Sequence, residues 1–411
     1  MSIHKSDSAA TGLKKPAIPR AIWALGFVSL FMDLSSELTH SLLPLFMVGT
    51  LGASALTVGV IEGTAEATAM IVKVFSGAIS DLIGRRKGLL LLGYGLAALT
   101  KPLFPLATSV ETVFAARFLD RIGKGIRDAP RDALIADIAP SEIRGACFGL
   151  RQSMDTAGAF LGPLVAILLM AALSGNIQLV LWFAVIPAFI SVGIILVRLK
   201  EPVRDTSIHR FRAPIRWSIL PEFSTSYWWI VIVGAIFTLA RFSEAFLVLR
   251  AQQIGLAPTW VPTVMVVMAL FYALSAYPVG KLSDRIGRIT LLGIGLVLLI
   301  LADLALAKFS SIGGLMAGVA LWGLHMGFSE GILTTLVADT TPSEFKGTAF
   351  GVFNLVSGLA MLLASVIAGW FWEMHGSTTT FYAGAVFALG ALFLIYFWQK
   401  QEPVPKNQAT Q

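Results

Sequence analysis

Long apolar runs recur along this chain and constrain its fold more than any other feature. Examples are LWFAVIPAFISVGIILV (181–197), LLGIGLVLLILADLALA (291–307) and FYAGAVFALGALFLIYFW (381–398). A helix needs about 20 mostly apolar residues to cross the hydrocarbon core of a bilayer. Of the 411 residues, 56% are hydrophobic, and the mean hydropathy is +0.78. These values lie outside the range of soluble domains and predict a polytopic helical membrane protein.

The loops between the apolar runs alternate in charge and predict the topology. Basic loops follow spans 2, 6 and 8, at GRRK (84–87), in the long segment 198–217 and at GKLSDRIGRI (280–289). Because Lys- and Arg-rich loops stay in the cytoplasm, we expect a multi-pass protein of the inner cell membrane with both termini cytoplasmic. The predicted spans are roughly 21–48, 56–80, 88–108, 112–135, 146–171, 178–198, 227–250, 259–280, 289–308, 312–336, 348–372 and 379–399.

An internal repeat divides the chain into two halves. GAISDLIGRR (77–86) matches GKLSDRIGRI (280–289), and ADIAPSEIRGACFG (136–149) matches ADTTPSEFKGTAFG (338–351) with eight of fourteen positions identical. Two matches at nearly the same spacing indicate a duplicated six-helix unit. The predicted organisation is a tail (1–20), an N-terminal six-helix bundle (21–198), a basic linker (199–226), a C-terminal six-helix bundle (227–399) and a tail (400–411).

Three motifs resemble those of the major facilitator superfamily. The G-x-x-x-D-x-x-G-R blocks after spans 2 and 8 resemble its signature loop, and RFLDRIGKG (117–125) resembles its fourth-helix motif. GAFLGP (158–163) partially resembles the fifth-helix motif of its proton-coupled drug exporters, with LVA following where further glycines are usual. The resemblance implies an all-α membrane protein of twelve transmembrane helices, arranged as two pseudo-symmetric bundles that expose a midplane site to each side in turn.

The predicted fourth span carries an unusual density of charge. Eight of the sixteen residues from Arg117 to Asp132 are charged, and they fall on one helical stripe. A charge facing lipid at mid-bilayer costs about 2.5–3.5 kcal/mol, so the stripe must face protein or a polar cavity. We predict that Arg117, Asp120, Arg121 and Lys124 line the cavity. For residues 127–132, a helix outside the membrane is an equal alternative.

Further ionisable residues fall on single faces of other spans and predict a substrate and proton pathway. We expect Asp33 or Glu37 to pair with Arg117 or Arg121, and Glu66 to pair with Lys73 or a fourth-span cation. The alternative for each group is an ion pair that only holds helices together, and His325 is a weaker proton-carrier candidate than His40. The predicted pathway comprises Asp33, Glu37, His40, Glu62, Glu66, Arg117, Asp120, Arg121, Lys124, Arg241 and Glu244.

Two further sets of residues are predicted to act in gating and in packing. The first set contains two pairs related by the repeat, Arg85 with Asp137 and Arg288 with Asp339. We expect these pairs to act as latches at the cytoplasmic face that stabilise the state closed to the cytoplasm. The alternative is that the cations only determine the membrane topology. The predicted gate comprises Asp81, Arg85, Asp137, Asp284, Arg288 and Asp339. Gly158, Gly162 and Pro163 are predicted to pack span 5 closely against a neighbour.

Function follows from these features as an expectation. We expect a secondary transporter that exports a small amphipathic or charged organic compound in exchange for protons, with an uptake symporter for an organic anion or other metabolite as the alternative. No phosphate-binding loop, zincin or hydrolase motif is present, so we predict no enzyme activity, no metal site and no cofactor, with a proton gradient as the energy source. A channel or receptor is a remote alternative. The expected partners are a small-molecule substrate, protons and the lipid bilayer, without nucleic acid, and the chain is expected to be a monomer.

Overall fold

A computed structural model of the chain describes residues 17–83, 85–200, 215–283, 285–342 and 344–401. Within these ranges the regular structure is entirely helical. The N-terminal half contains α1 (Arg20–Leu45), α2 (Ala55–Ile83), α3 (Arg86–Thr100), α4 (Val110–Ile138), α5 (Arg144–Ala172) and a two-segment α6 (Ile177–Phe183 and Val185–Arg198). The C-terminal half contains a two-segment α7 (Thr225–Ala240 and Ala245–Gln253), α8 (Thr263–Leu282), α9 (Arg288–Lys308), α10 (Ile312–Asp339), α11 (Lys346–His375) and α12 (Ser377–Gln401).

The twelve helices correspond to the twelve predicted spans and run alternately up and down. We call the side where α1 begins and α12 ends the terminal face, and the other side the far face. Eleven of the helices among the described residues are long and apolar enough to cross a bilayer by themselves. The exception is α4, whose charges lower its hydropathy. Because α4 packs lengthwise against α2 and α3, these charges lie within the N-terminal bundle.

The end of α4 is packed within the N-terminal bundle and is not a detached surface helix. The helix is continuous to Ile138, and Arg127 and Arg131 are both buried. The Arg127 guanidinium lies 4.6 Å from the centre of the Tyr94 ring on α3, a distance typical of a cation–π contact. Arg127 and Arg131 therefore remain inside the bundle near the end of α4.

The duplication is visible in how the helices begin. Ser109 accepts a hydrogen bond from the Thr112 backbone N–H at the start of α4, and Ser311 accepts one from Gly314 at the start of α10. A serine at this position satisfies one of the amide groups that a helix leaves free at its N-terminus. The two capping residues are 202 positions apart, the spacing of the longer sequence repeat.

α7 is interrupted where α1, its counterpart in the repeat, is continuous. Residues 241–244 separate its two segments, and the freed backbone groups find side-chain partners. The Ser243 N–H donates to Ser365 Oγ at 3.2 Å, and the Ala245 N–H donates to Ser243 Oγ at the same distance. Non-helical backbone at membrane depth is tolerated when it is buried in protein or lines a cavity.

Among the described residues, the two halves approach backbone to backbone on the far side of the bundle. There α2 and α11 touch backbone to backbone: a Cβ atom added at Gly59 would collide with the Ser365 carbonyl oxygen, and one at Gly369 would lie 2.7 Å from that of Ala55. At the terminal face, a cavity of about 460 Å³ separates the same helices, between Gly77 and Asn354 among others. The conformation is therefore closed at the far face and separated at the terminal face.

Candidate functional site

A cavity of about 350 Å³ lies between the two halves, at the level of the break in α7. Side chains from α1, α2, α4 and α5 form one wall, and side chains from α7, α8, α10 and α11 form the other. Ionisable groups and methionines dominate both walls. The ionisable groups are Glu37, His40, Glu66, Arg121, Lys124, Arg241, Glu244, Tyr272 and Glu330, and the methionines are Met70, Met265, Met268, Met326 and Met361.

The cavity contains most, but not all, of the residues predicted for the pathway. Seven of the eleven line it: Glu37, His40, Glu66, Arg121, Lys124, Arg241 and Glu244. The other four do not line it: Glu62, Arg117 and Asp120 are buried behind its wall, and Asp33 is partly exposed outside it. The expectation that Arg117 and Asp120 line the cavity is therefore wrong, because their stripe turns into the N-terminal bundle at the far-face end of α4.

Arg117 pairs with Glu62 rather than with Asp33 or Glu37. Its Nε lies 3.1 Å from Glu62 Oε1 and its Nη2 lies 2.6 Å from Oε2, and both side chains are almost completely buried. This two-pronged geometry is the strongest form of carboxylate recognition by arginine. The predicted partners on α1 are wrong because α2 packs along α4, whereas α1 packs chiefly against α5 and α6.

Glu66 and His40 connect this buried pair with the cavity. Arg121 Nη1 lies 3.3 Å from Glu66 Oε1, so Glu66 takes a fourth-helix cation, one of the two kinds of partner predicted for it. His40 Nδ1 lies 3.4 Å from Glu37, and its Nε2 lies 3.6 Å from Glu62. The imidazole thus stands between a carboxylate of the cavity wall and one of the interior.

Asp120 pairs with a residue that the sequence analysis missed. Lys101 Nζ lies 2.9 Å from Asp120 Oδ1 and also donates to Ser36 Oγ at 3.2 Å, and Lys101 is 1% exposed. Lys101 stands between an apolar helix and Pro102, where a lysine resembles the end of a span. The one signal that could have identified it is the general rule that a charged residue within a membrane span has a partner of opposite charge.

Asp33 on α1 interacts with Asp155 on α5. The two carboxyl groups face each other where α1 packs against Gly158 of α5, so that each acts electrostatically on the other, and Arg151 Nη1 lies 3.5 Å from Asp155 Oδ2. Two carboxyl groups held this close favour binding of one proton, because two neighbouring carboxylates repel each other. Within the described residues, this is where two carboxyl groups from different helices meet in this way. Asp33 thus lies outside the cavity, without the arginine partner predicted for it.

On the opposite wall, Arg241 is shared by two carboxylates. Its Nη1 lies 2.7 Å from Glu330 Oε1, and its Nη2 lies 3.4 Å from Glu244 Oε1. The sequence analysis found the pair within α7 but missed Glu330 on α10. A lone glutamate in the apolar run of α10 was the available signal. The break in α7 exposes Arg241 and Glu244 to the cavity from the end of one segment and the start of the next.

The gate residues form pairs within each half. Arg288 contacts Asp339, as the repeat symmetry predicts. In the N-terminal half, however, Arg86 contacts Asp137 at 2.7 Å, and Arg85 is exposed, so the predicted Arg85 pair is wrong by one residue. Arg86 lies 202 residues before Arg288, whereas the shorter repeat match had aligned Arg85. Asp81 lies 3.5 Å from Arg86, and Asp284 is outside the described residues.

These pairs do not connect one half to the other. Arg86 and Asp137 join α3 to α4, and Arg288 and Asp339 join α9 to α10. Both pairs are formed while the halves are separated at the terminal face. In this conformation the pairs therefore do not act as a latch that holds the two halves together. Each pair instead fixes the ends of two helices within its own half.

The predicted packing residues lie at the contact between α5 and α1. A Cβ atom at Gly158 would collide with the Leu30 carbonyl oxygen, and one at Gly162 would lie 2.8 Å from Glu37 Cβ. Pro163 is buried in the same helix. These two glycines allow α5 to approach the stretch of α1 that carries Asp33 and Glu37.

Twelve helices in two repeated bundles, with a charged cavity between them, form the architecture of one large class of membrane transporters. The chain belongs to the Major Facilitator Superfamily, whose family model matches residues 25–250 and 245–411. This family comprises transporters and not enzymes, so the protein is a multi-pass membrane transporter of a small solute.

Similar proteins agree with this assignment. An uncharacterized MFS-type transporter of Methanocaldococcus jannaschii is 31% identical over 385 residues, covering 92% of this chain and 95% of that protein. The multidrug resistance protein MdtH of Edwardsiella ictaluri is 25% identical over 359 residues, which cover 85% of this chain and 86% of that protein. Among solved structures, a POT family transporter in complex with a thioalcohol-conjugated peptide superimposes with a TM-score of 0.77 at 14% identity, over 93% of this chain and 96% of that one. The last similarity shows the fold.

Proposed function

We propose that the protein exports a small amphipathic or charged compound from the cytoplasm in exchange for protons, with its terminal face on the cytoplasmic side of the inner membrane. The proton gradient would be its energy source, without a cofactor. The observation that carries the proposal is the approach of Asp33 to Asp155 where α1 packs against α5 at Gly158, since two carboxyl groups held this close can share a proton and release it. The similarity to a protein named for multidrug resistance supports export as the direction.

The position of the pair explains how a proton could be linked to movement. Asp33 and Asp155 join α1 to α5 where these helices pack through Gly158. When the shared proton leaves, two neighbouring carboxylates repel each other and the helices lose a connection. Lys124 acts electrostatically on Asp33 and also lines the cavity. A substrate that binds near Lys124 therefore changes the charge that Asp33 experiences, which couples substrate and proton.

The test is proton movement in everted membrane vesicles, followed with a dye that reports ΔpH. In the wild type, adding a transported compound should release protons from the acidified lumen. Asp33→Asn should abolish this proton release and make transport independent of pH, because an amide cannot release the proton. Exchange of labelled for unlabelled substrate should persist in this variant, since it needs no net proton transfer.

Glu142→Gln is the matched control, because Glu142 is an exposed carboxylate at the terminal face. It should behave as the wild type. If Asp33→Asn transports with an unchanged dependence on pH, Asp33 is not the proton site. If the wild type moves no protons with any transported compound, the exchange proposal itself is wrong.

One observation favours the second candidate, an uptake symporter for an organic anion. Lys124 is a cavity cation that forms no ion pair within the described part of the chain. The same vesicles distinguish the two directions. For a symporter, protons should leave the lumen only when the substrate has been loaded inside, whereas for an exporter they should leave when the substrate is added outside.

A further inference from the structure

We infer that the transported compound is an amphipathic zwitterion, bound across the cavity with its anionic group at Lys124 and its cationic group at Glu330 and Glu244. The inference rests on the proposed function in one respect, which is that the cavity between the halves binds the substrate. It adds the chemical class of that substrate and the residues that select it. The unequal distribution of charge between the two walls carries it.

The wall of the N-terminal half contains one cation that has no ion-pair partner among the described residues. Arg121 is neutralised by Glu66 at 3.3 Å, and Glu37 contacts His40. Lys124, one turn beyond Arg121 on α4, has no carboxylate within 4 Å among the described residues, although it lines the cavity. An ammonium group at membrane depth without a counter-ion is costly, and an anionic group on the substrate would offset this cost.

The wall of the C-terminal half has one negative charge to spare. Arg241 is the cavity cation on this side, and it contacts both Glu330 and Glu244. One guanidinium cannot neutralise two carboxylates. Both glutamates remain partly exposed, so one of them can accept a cationic group from a ligand while the other retains Arg241. The two walls thus present opposite charges to a molecule that lies between them.

The surface between these charges is apolar and adaptable. Met70 from α2, Met265 and Met268 from α8, Met326 from α10 and Met361 from α11 bring thioether side chains to the cavity. Methionine is flexible and polarisable, makes favourable contacts with aromatic rings and accommodates varied shapes. A cavity of about 350 Å³ accommodates a body of one or two aromatic rings rather than a large drug.

Compounds with one kind of charge fit this arrangement less well. An anion would satisfy Lys124 but leave the surplus carboxylate facing an apolar body. A cation would satisfy that carboxylate but leave the ammonium unpaired. Each of these omissions costs binding free energy, because an unpaired charge that the ligand shields from water is more costly than an absent one.

Binding of three matched probes to the purified protein in nanodiscs tests the inference. The probes are biphenylalanine as the zwitterion, its N-acetyl derivative as the anion and its methyl ester as the cation, with matched trios on other aromatic scaffolds of similar size. The wild type should bind the zwitterion about tenfold more tightly than either derivative, since one ion pair in such a site is worth roughly one decade in Kd.

Two variants divide the effect between the walls. Lys124→Gln should remove the preference for the zwitterion over the ester, because the carboxylate then has no partner, and should retain the preference over the N-acetyl derivative. Glu330→Gln should do the opposite, and Glu244→Gln replaces it if the loss of the Arg241 contact prevents folding. Lys281→Gln, an exposed cation at the terminal face, is the control and should leave both preferences unchanged.

The inference is overturned if the three forms bind with equal affinity, if Lys124→Gln weakens all three equally, or if no scaffold shows binding of the zwitterion. These outcomes are independent of the proton assay, because binding in nanodiscs involves no gradient. A protein that prefers zwitterions but moves no protons would retain the substrate class and lose the proton exchange. A protein that moves protons with singly charged compounds only would do the reverse.

Discussion

The two halves share a fold and a repeated sequence, but they treat buried polar groups differently. In the N-terminal half, the deepest charges are paired: Arg117 with Glu62, and Lys101 with Asp120. In the C-terminal half, Asp303 on α9 is fully buried and neither of its oxygens has a hydrogen-bond partner among the described residues. The N-terminal bundle buries its charges mainly as ion pairs, whereas the C-terminal bundle encloses a carboxyl group without such a pair. Buried polar atoms without a hydrogen-bond partner occur in both bundles, and those of Arg127 are in the N-terminal one.

The surroundings of Asp303 explain why no partner reaches it. A Cβ atom at Gly384 on α12 would lie 2.6 Å from Asp303 Oδ2 and 3.0 Å from the Phe242 ring. Phe242 also contacts the ring of Trp322, with their centres 5.3 Å apart. The carboxyl group is thus enclosed by aromatic side chains and a helix backbone. Duplication preserved the helices, while the interiors of the two bundles diverged into a charged network and an aromatic cluster.

The largest expected effect comes from breaking the N-terminal network. Arg117→Met should destabilise the protein by about 3–5 kcal/mol, because it leaves the Glu62 carboxylate buried without its cation. Arg117→Met combined with Glu62→Leu should recover most of this loss, since no charge is then stranded. Thermal unfolding in detergent measures both, with the exposed Arg144→Met as control. If Arg117→Met alone is as stable as the wild type, the N-terminal half does not depend on this ion pair.

The same substitution should have opposite effects in the two halves. Asp303→Ala should stabilise the protein, because it removes an unpartnered buried carboxyl group. The expected gain is about 1–3 kcal/mol, from which a small loss of packing contacts is subtracted. Asp120→Ala should destabilise it, because Lys101 then loses its carboxylate. Unfolding midpoints measured under one condition give both signs. If both variants lose stability, Asp303 has a stabilising partner and the contrast between the halves is wrong at this position.

The smallest effect concerns the repeat-related pairs at the terminal face. Arg86 is buried beside Asp137, whereas Arg288 and Asp339 are 33% and 48% exposed. Arg288→Ala should therefore cost only about 0.2–1 kcal/mol, as for other solvent-exposed ion pairs. Arg86→Ala should cost more, and its effect should be less sensitive to added salt. Equal losses at low and high salt for both variants would indicate that the two pairs are equivalent after all.

The sequence predicts the fold well because length, hydropathy and the repeat are properties of the chain itself. It predicts less well which groups meet. Helical periodicity places Arg117 and Arg121 on one face of α4, but it does not say that α2, and not α1, covers that face. The same limit explains the one-residue error at Arg85: the identity of the motif residues aligned it with Arg288, while the geometry of the helix ends selected Arg86.

The residues that the sequence analysis missed have a common property. Lys101, Asp303 and Glu330 are single charges within apolar runs, without a motif or a charged neighbour to mark them. Their significance depends on what other helices bring close to them, which is an outcome of tertiary packing. Glu37, Lys124, Arg241 and Glu244 were accessible to sequence reasoning because they occur in patterns on a single helix.

The glycine contact between α2 and α11 has a consequence for how the protein can change over evolutionary time. This contact consists of backbone against backbone, so it offers no side-chain interaction that a mutation could strengthen. One added methyl group at Gly59 or Gly369 would push the two helices apart. The balance between the two conformations is then governed by side-chain volume more than by charge. Substitutions in the cavity walls therefore leave this contact unchanged, whereas a larger residue at Gly59 or Gly369 would hinder closure of the far face.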